Sequence, residues 1–111
     1  MHISWTRYNE TTVVKLRGRL ENPQRRLLRK YIEKSITEET KYLNLNFQAV
    51  SYIDSMIIGQ LVLMKMWLQG KDIQLSLSNV HGAVKQVLDL LKFSRVIPTY
   101  KDEQIVIAAL R

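Results

Sequence analysis

Apolar and polar positions along the chain change period several times, and each change marks an element. Ile3 to Tyr8 reads as a weak strand that ends in the turn Asn9-Glu10-Thr11. Thr12 to Gly18 is rich in β-branched residues and alternates at Val14 and Leu16, which predicts a second strand in a hairpin with the first. Gly18 is expected to end it. A helical pattern follows, with Asn22 as cap and Pro23 in the first turn. There Leu27, Leu28, Tyr31, Ile32 and Ile36 share one face, and Arg25, Arg26, Arg29 and Lys30 share the other.

Tyr42 to Phe47 alternates again and predicts a strand, joined to the second by a helical crossover and therefore parallel to it. Ser51-Tyr52-Ile53-Asp54-Ser55-Met56-Ile57-Ile58-Gly59 reads as strand, short loop and helix opening, since Asp54 and Ser55 are both good N-cap residues. That helix runs to Gln69, is stopped by Gly70, and is expected to place Ile58, Leu61 and Val62 on the sheet. Its remaining apolar residues, above all Met56, Leu63 and Trp67, are either core or an exposed patch for a partner or a second copy.

Asp72 to Ser76 predicts a further strand, Ser78 to Gly82 a loop, and Ala83 to Leu91 a helix with Val84, Val87, Leu88 and Leu91 inward. Val96-Ile97-Pro98 fits no more than a short edge strand, because proline cannot donate to a ladder. Asp102 caps a closing segment, Glu103 to Leu110, read as a helix although Ile105, Val106 and Ile107 favour strand by propensity. The order predicts an α/β fold: one mixed sheet of about four to five strands, flanked by about four helices, in a single domain over residues 1–111.

Composition narrows the chemistry. With 46% apolar and 24% charged residues the chain has ordinary globular composition. It has no cysteine, so disulfides, thiolate metal sites and cysteine nucleophiles are excluded. The first residues lack a signal-peptide core, and Leu61 to Leu68, interrupted by Lys65, is too short to cross a bilayer. No membrane insertion and a cytoplasmic location are expected. The net charge of +7 raises nucleic acid as a partner. The excess gathers at Arg17, Arg19 and the Arg25 to Lys34 segment with no nucleic-acid motif beside it, so nucleic-acid binding is not expected. Such a face is commonly plain solvated surface, and next to that a dock for an acidic protein. His2 and His81 stand apart from any carboxylate cluster, and no phosphate-cradling glycine loop exists, so neither enzyme activity nor a metal or cofactor is expected.

Three stretches together resemble the STAS domain family, and within it the bacterial anti-sigma-factor antagonists. They are Val13 to Glu21, whose Gly18-Arg19-Leu20-Glu21 is similar to a Gly-x-Leu-Asp ending, Leu43 to Ser55, and Val80 to Phe93. The resemblance covers nearly the whole chain. In that family the loop usually reads Asp-Ser-Ser-Gly-Leu-Gly, and its first serine is phosphorylated by a partner kinase that is also the anti-sigma factor. By position that serine is Ser55, preceded by Asp54, and Ile58-Gly59 match the Leu-Gly end. Met56 stands for the second serine, Ile57 for the glycine, and Glu21 for the usual aspartate. The resemblance implies a partner shaped to a bulkier site, because a β-branched side chain then stands near the phosphoacceptor. It further implies a non-enzymatic switch that binds an anti-sigma factor or serine kinase until Ser55 is phosphorylated, and is reset by a phosphatase. Asp54, Ser55, Met56, Gln60, Leu63, Trp67, Glu21 and Asn22 are the expected partner contacts. The plainer alternative is a non-phosphorylated STAS subunit of a transporter or other signalling complex, in which Ser55 is only a cap.

Overall fold

The computed structural model describes residues 2–21 and 25–109. The expected cap Asn22 and Pro23 therefore lie outside the described residues. Strand β1 (His2–Tyr8) turns at Asn9, where φ is 58°, and pairs antiparallel with β2 (Thr11–Leu20). Helix α1 (Arg25–Ser35) crosses over to β3 (Tyr42–Ile53), and α2 (Ser55–Gln69) crosses to β4 (Gln74–Ser78). Helix α3 (Gly82–Leu90), a 3₁₀ turn (Phe93–Arg95), β5 (Thr99–Tyr100) and α4 (Glu103–Ala109) complete the chain. The sheet has five strands in the order β1-β2-β3-β4-β5, all parallel after the first pair. The expected mixed sheet with flanking helices is what the chain forms.

Several boundaries differ from expectation, each for a physical reason. Strand β2 does not stop at Gly18 but passes through it at φ 98°, a conformation that glycine adopts without strain. Strand β3 runs on through the expected loop to Ile53. Twice its register with β2 slips by one residue, between Lys15 and Arg17 and between Gly18 and Arg19. Each slip adds a residue to β3, so beyond Phe47 burial recurs at every third position: Phe47, Val50 and Ile53. A period-two reading loses such a strand. Strand β4 begins at Gln74 because Asp72 sits at φ 59° in the turn after α2. The last strand lies at Thr99–Tyr100 rather than over Val96 to Pro98. Pro98 has no N–H to give, yet its carbonyl accepts from the Leu77 amide at 2.9 Å and so opens the pairing. The closing segment is helical as expected, its Asp102 side chain accepting from the Ile105 amide at 3.1 Å.

The two faces of the sheet differ in chemistry. Val14, Leu16, Leu43, Leu45 and Leu77 form one core with Leu28 and Ile32 of α1, Ile57, Leu61, Met64 and Leu68 of α2, and Val84 and Leu88 of α3. Leu27, Val87 and Leu91, expected inside, are exposed: Leu27 and Val87 lie a quarter-turn or more off the buried stripe of their helices, and Leu91 lies past the last residue of α3. On the opposite face Asn44, Asn46, Ser76 and Ser78 are buried in register. Asn44 donates to Ser76 at 3.0 Å and accepts from Ser78 at 2.7 Å. Helix α4 covers this polar layer, tied to it by Lys15–Glu103 at 3.4 Å and by the Glu103 amide on Asn79.

Candidate functional site

Strands β2 and β3 end side by side, and the corner is built where they leave the sheet. The Asp54 amide donates to the Leu20 carbonyl at 3.2 Å, which holds the two exits together. Asp54 is extended (φ −102°, ψ 171°) and its Oδ1 accepts from the Ile57 amide at 2.9 Å, while the Asp54 carbonyl takes the Ile58 amide. Asp54 is therefore the N-cap, and Ser55 is the first residue of α2 rather than its cap. Ser55 is exposed. Its position puts the hydroxyl at the positive end of the helix dipole without committing it to the cap.

The helix is rotated by one residue from its expected setting. Ile57, Leu61, Met64 and Leu68 are its buried residues, and Ile58 and Val62 are only partly covered. Ile57 is fully buried. The β-branched side chain expected beside Ser55 is thus turned into the core. What faces outward is a stripe of Met56, Gly59, Leu63 and Met66, with the three side chains 46%, 58% and 62% exposed. A methyl group added at Gly59 would meet nothing within 4 Å among the described residues.

The expected contact residues do not form one cluster. Glu21 stays at the corner, where its Oε1 receives Arg19 Nη2 at 2.9 Å and Nε at 3.0 Å. Gln60 and Leu63 line a groove of about 460 Å³ between α1 and α2, rimmed by Arg26, Arg29 and Lys30. Trp67 lies twelve residues along the helix from Ser55, about 18 Å up its axis. It is half-buried, with Arg29 5.1 Å and Lys71 5.3 Å from its ring, and so belongs to the far end. Asn22 lies outside the described residues.

Three neighbours escaped the sequence reading. Arg19 packs its guanidinium 4.1 Å from the centre of the Tyr52 ring, a contact made by the pairing of Arg19 with Tyr52 across the second slip. Only knowledge of that slip would have brought them together. Met66 was within reach, because 56, 59, 63 and 66 repeat at helical spacing. Among the described residues no group of three or more His, Asp or Glu could hold a metal, and no helix is long and apolar enough to cross a membrane.

With this geometry the chain can be compared with known proteins. The STAS domain matches residues 2–105. No curated protein matches the chain. Among solved structures it is similar to the anti-sigma factor antagonist SpoIIAA in its unphosphorylated form, at 20% identity and a TM-score of 0.75 over 99% of this chain and 98% of that one. The phosphorylated form of SpoIIAA, a Bacillus cell fate determinant, gives a TM-score of 0.72 at 20% identity over 99% and 100%. An anti-sigma factor antagonist from Mycobacterium paratuberculosis gives 0.84 at 17% identity over 97% and 92%. A murine Slc26a9 anion transporter matches as well, with a TM-score of 0.73 at 20% identity over 94% of this chain but 18% of the transporter. At these identities the likeness is one of fold.

Proposed function

The chain belongs to the STAS domain family, and we propose that it acts as an anti-sigma factor antagonist switched by phosphorylation of Ser55. The observation that carries this reading is the division of labour at the corner. Asp54 caps α2, and that leaves the exposed Ser55 hydroxyl available for modification. Unmodified, the protein binds an anti-sigma factor that is also a serine kinase, in the cytoplasm, and frees the sigma factor. It acts by binding, not by catalysis. The partner covers the corner of Glu21, Asp54 and Ser55 and the adjoining stripe of Met56, Gly59 and Leu63, whose exposed methionine suits an adaptable contact.

The kinase transfers the terminal phosphoryl group of ATP to Ser55 Oγ. A P–O bond forms at serine, the bond to ADP breaks, and the hydroxyl proton leaves to a base of the kinase. The phosphate brings a charge of about −1.5 to −2 beside Asp54, which repels it, and into a contact that must be desolvated. Binding is lost while the domain stays folded, and a phosphatase restores it.

The test is intact-mass measurement of protein from its native cell, with and without Ser55→Ala, joined to a binding assay with the kinase encoded nearest the gene. The expected outcome is a phosphate-sized mass shift that Ser55→Ala removes, and affinity weakened by about 100-fold or more on phosphorylation, in the range of a broken buried contact. A second reading, a non-phosphorylated STAS subunit of a transporter or other signalling complex, is favoured by the match to the anion transporter. Protein that stays unmodified under every growth condition selects this second reading.

A further inference from the structure

Strand β4 carries a row of backbone groups for each of its neighbours, and alternate residues serve alternate sides. Gln74 gives its N–H to the Lys41 carbonyl just before β3, at 2.9 Å, and Leu77 gives its N–H to Pro98 before β5, at 2.9 Å. Leu75, two residues before Leu77, therefore turns its N–H and C=O to the β5 side as well. There the pairing has stopped, since it joins only Leu77 and Ser78 to β5. To continue, the ladder would need Pro98 to donate to the Leu75 carbonyl, and proline has no N–H. It would also need the Val96 carbonyl against the Leu75 amide. Val96 is instead helical (φ −93°, ψ −49°), and its amide and that of Ile97 both return to the Phe93 carbonyl at 2.9 Å.

A groove of about 520 Å³ lies along this open edge. Leu75, Val96 and Pro98 give it an apolar lining, and Lys65 of α2 and Arg95 of the 3₁₀ turn bring cations to it. Among the described residues neither cation is in a salt bridge, and Asp72 is the one acid in the lining. Leu75 is buried although it lines the groove, so its backbone groups are poorly hydrated and gain from a partner. Lys65 lies ten residues along α2 from Ser55, about 15 Å up the axis, so the groove is separate from the corner.

We propose that this edge is a second docking site, which takes an extended acidic segment of a partner protein as a short added strand beside Leu75. An outward N–H and C=O on one residue are matched by the backbone of an extended chain. Alternate side chains of that chain enter the groove, where carboxylates meet Lys65 and Arg95 and a basic segment is repelled. The proposal makes no use of phosphorylation at Ser55.

The probe is the synthetic peptide acetyl-Thr-Glu-Val-Glu-Val-Glu-Thr-amide, titrated to several millimolar into isotope-labelled protein and followed by NMR. The Leu75 amide signal should shift and its hydrogen exchange should slow. The same peptide with lysine for each glutamate should bind about tenfold more weakly. Lys65→Glu with Arg95→Glu should reverse that preference, and uptake of the lysine peptide shows that the variant is folded. Should it fail to fold, N-methylated peptides on the unmutated protein decide. Methylation of every glutamate amide or of every valine amide should abolish binding in one case and spare it in the other, because an added strand pairs along one side. An unmoved Leu75 signal overturns the proposal, as does equal binding of both methylated peptides. An equal shift with glutarate overturns it in favour of a small-carboxylate site. A Leu75 signal that moves on dilution of the protein alone overturns it in favour of a second copy.

Discussion

Asp54 and Ser55 are adjacent and chemically similar as caps, yet the backbone gives them different work. The extended conformation at Asp54 aims its carboxylate at the Ile57 amide, one of the donors that the start of a helix leaves without a partner. Asp54→Ala should therefore cost about 1 kcal/mol of stability, seen as a fall in Tm of roughly 5 °C for a domain of this size. Asp54→Asn keeps the acceptor and should recover most of that loss. Ser55→Ala removes a hydroxyl with no capping duty and should stay within about 0.5 kcal/mol of the parent in the same melt. A drop at Ser55→Ala equal to that at Asp54→Ala would mean that serine shares the cap.

At the scale of elements, α2 is the helix whose sequence says too much. It is apolar nearly all round, a pattern that belongs to helices covered on more than one side. The sheet covers Ile57, Leu61, Met64 and Leu68, and the Met56–Gly59–Leu63–Met66 stripe is left outside. Gly59 sits in that stripe in the helix interior, where glycine costs about 1 kcal/mol relative to alanine and where no neighbour among the described residues needs the space. Gly59→Ala should raise stability by roughly 0.5 to 1 kcal/mol in denaturant unfolding while weakening capture of the partner. Tighter or unchanged capture would remove the stripe from the contact. The same excess of apolar residues explains what the sequence revealed and what it hid. The existence and order of the elements and the pairing of the first three strands were legible, because strand and helix periods differ and the first crossover is helical. The setting of α2 was not, since with apolar residues at Met56, Ile57 and Ile58 three neighbouring rotations look equally good. The length of β3 was hidden for a related reason: two register slips erase the period of two that marks a strand. Ser55 and Asp54 could be found from residue type and resemblance. Arg19 and Tyr52 could not be joined, because their contact depends on the second slip.

Taken whole, the molecule sets an apolar core against one face of its sheet and a buried polar layer against the other. Asn44 is the centre of that layer, giving one hydrogen bond to Ser76 and taking one from Ser78. Asn44→Ala strands the Ser78 hydroxyl beneath α4 and opens a small void, so about 2 to 3 kcal/mol of stability should be lost in denaturant unfolding. The charge distribution acts at longer range. The chain carries a net charge of +7, a large share of it on α1, whose exposed Arg26, Lys30 and Lys34 stand against the single acid Glu33, and this helix flanks the stripe of α2. Cations around a contact that is itself apolar at its centre govern the rate of encounter more than the lifetime of the complex. For an acidic partner, association with the unphosphorylated protein should therefore slow by about tenfold between low salt and roughly 0.5 M salt, where screening confines the field to a few ångströms. Dissociation should change little. Stopped-flow mixing across a salt series separates the two rates. Association that ignores salt would mean that the basic face of α1 is plain solvated surface, and that recognition rests on the corner and the stripe alone.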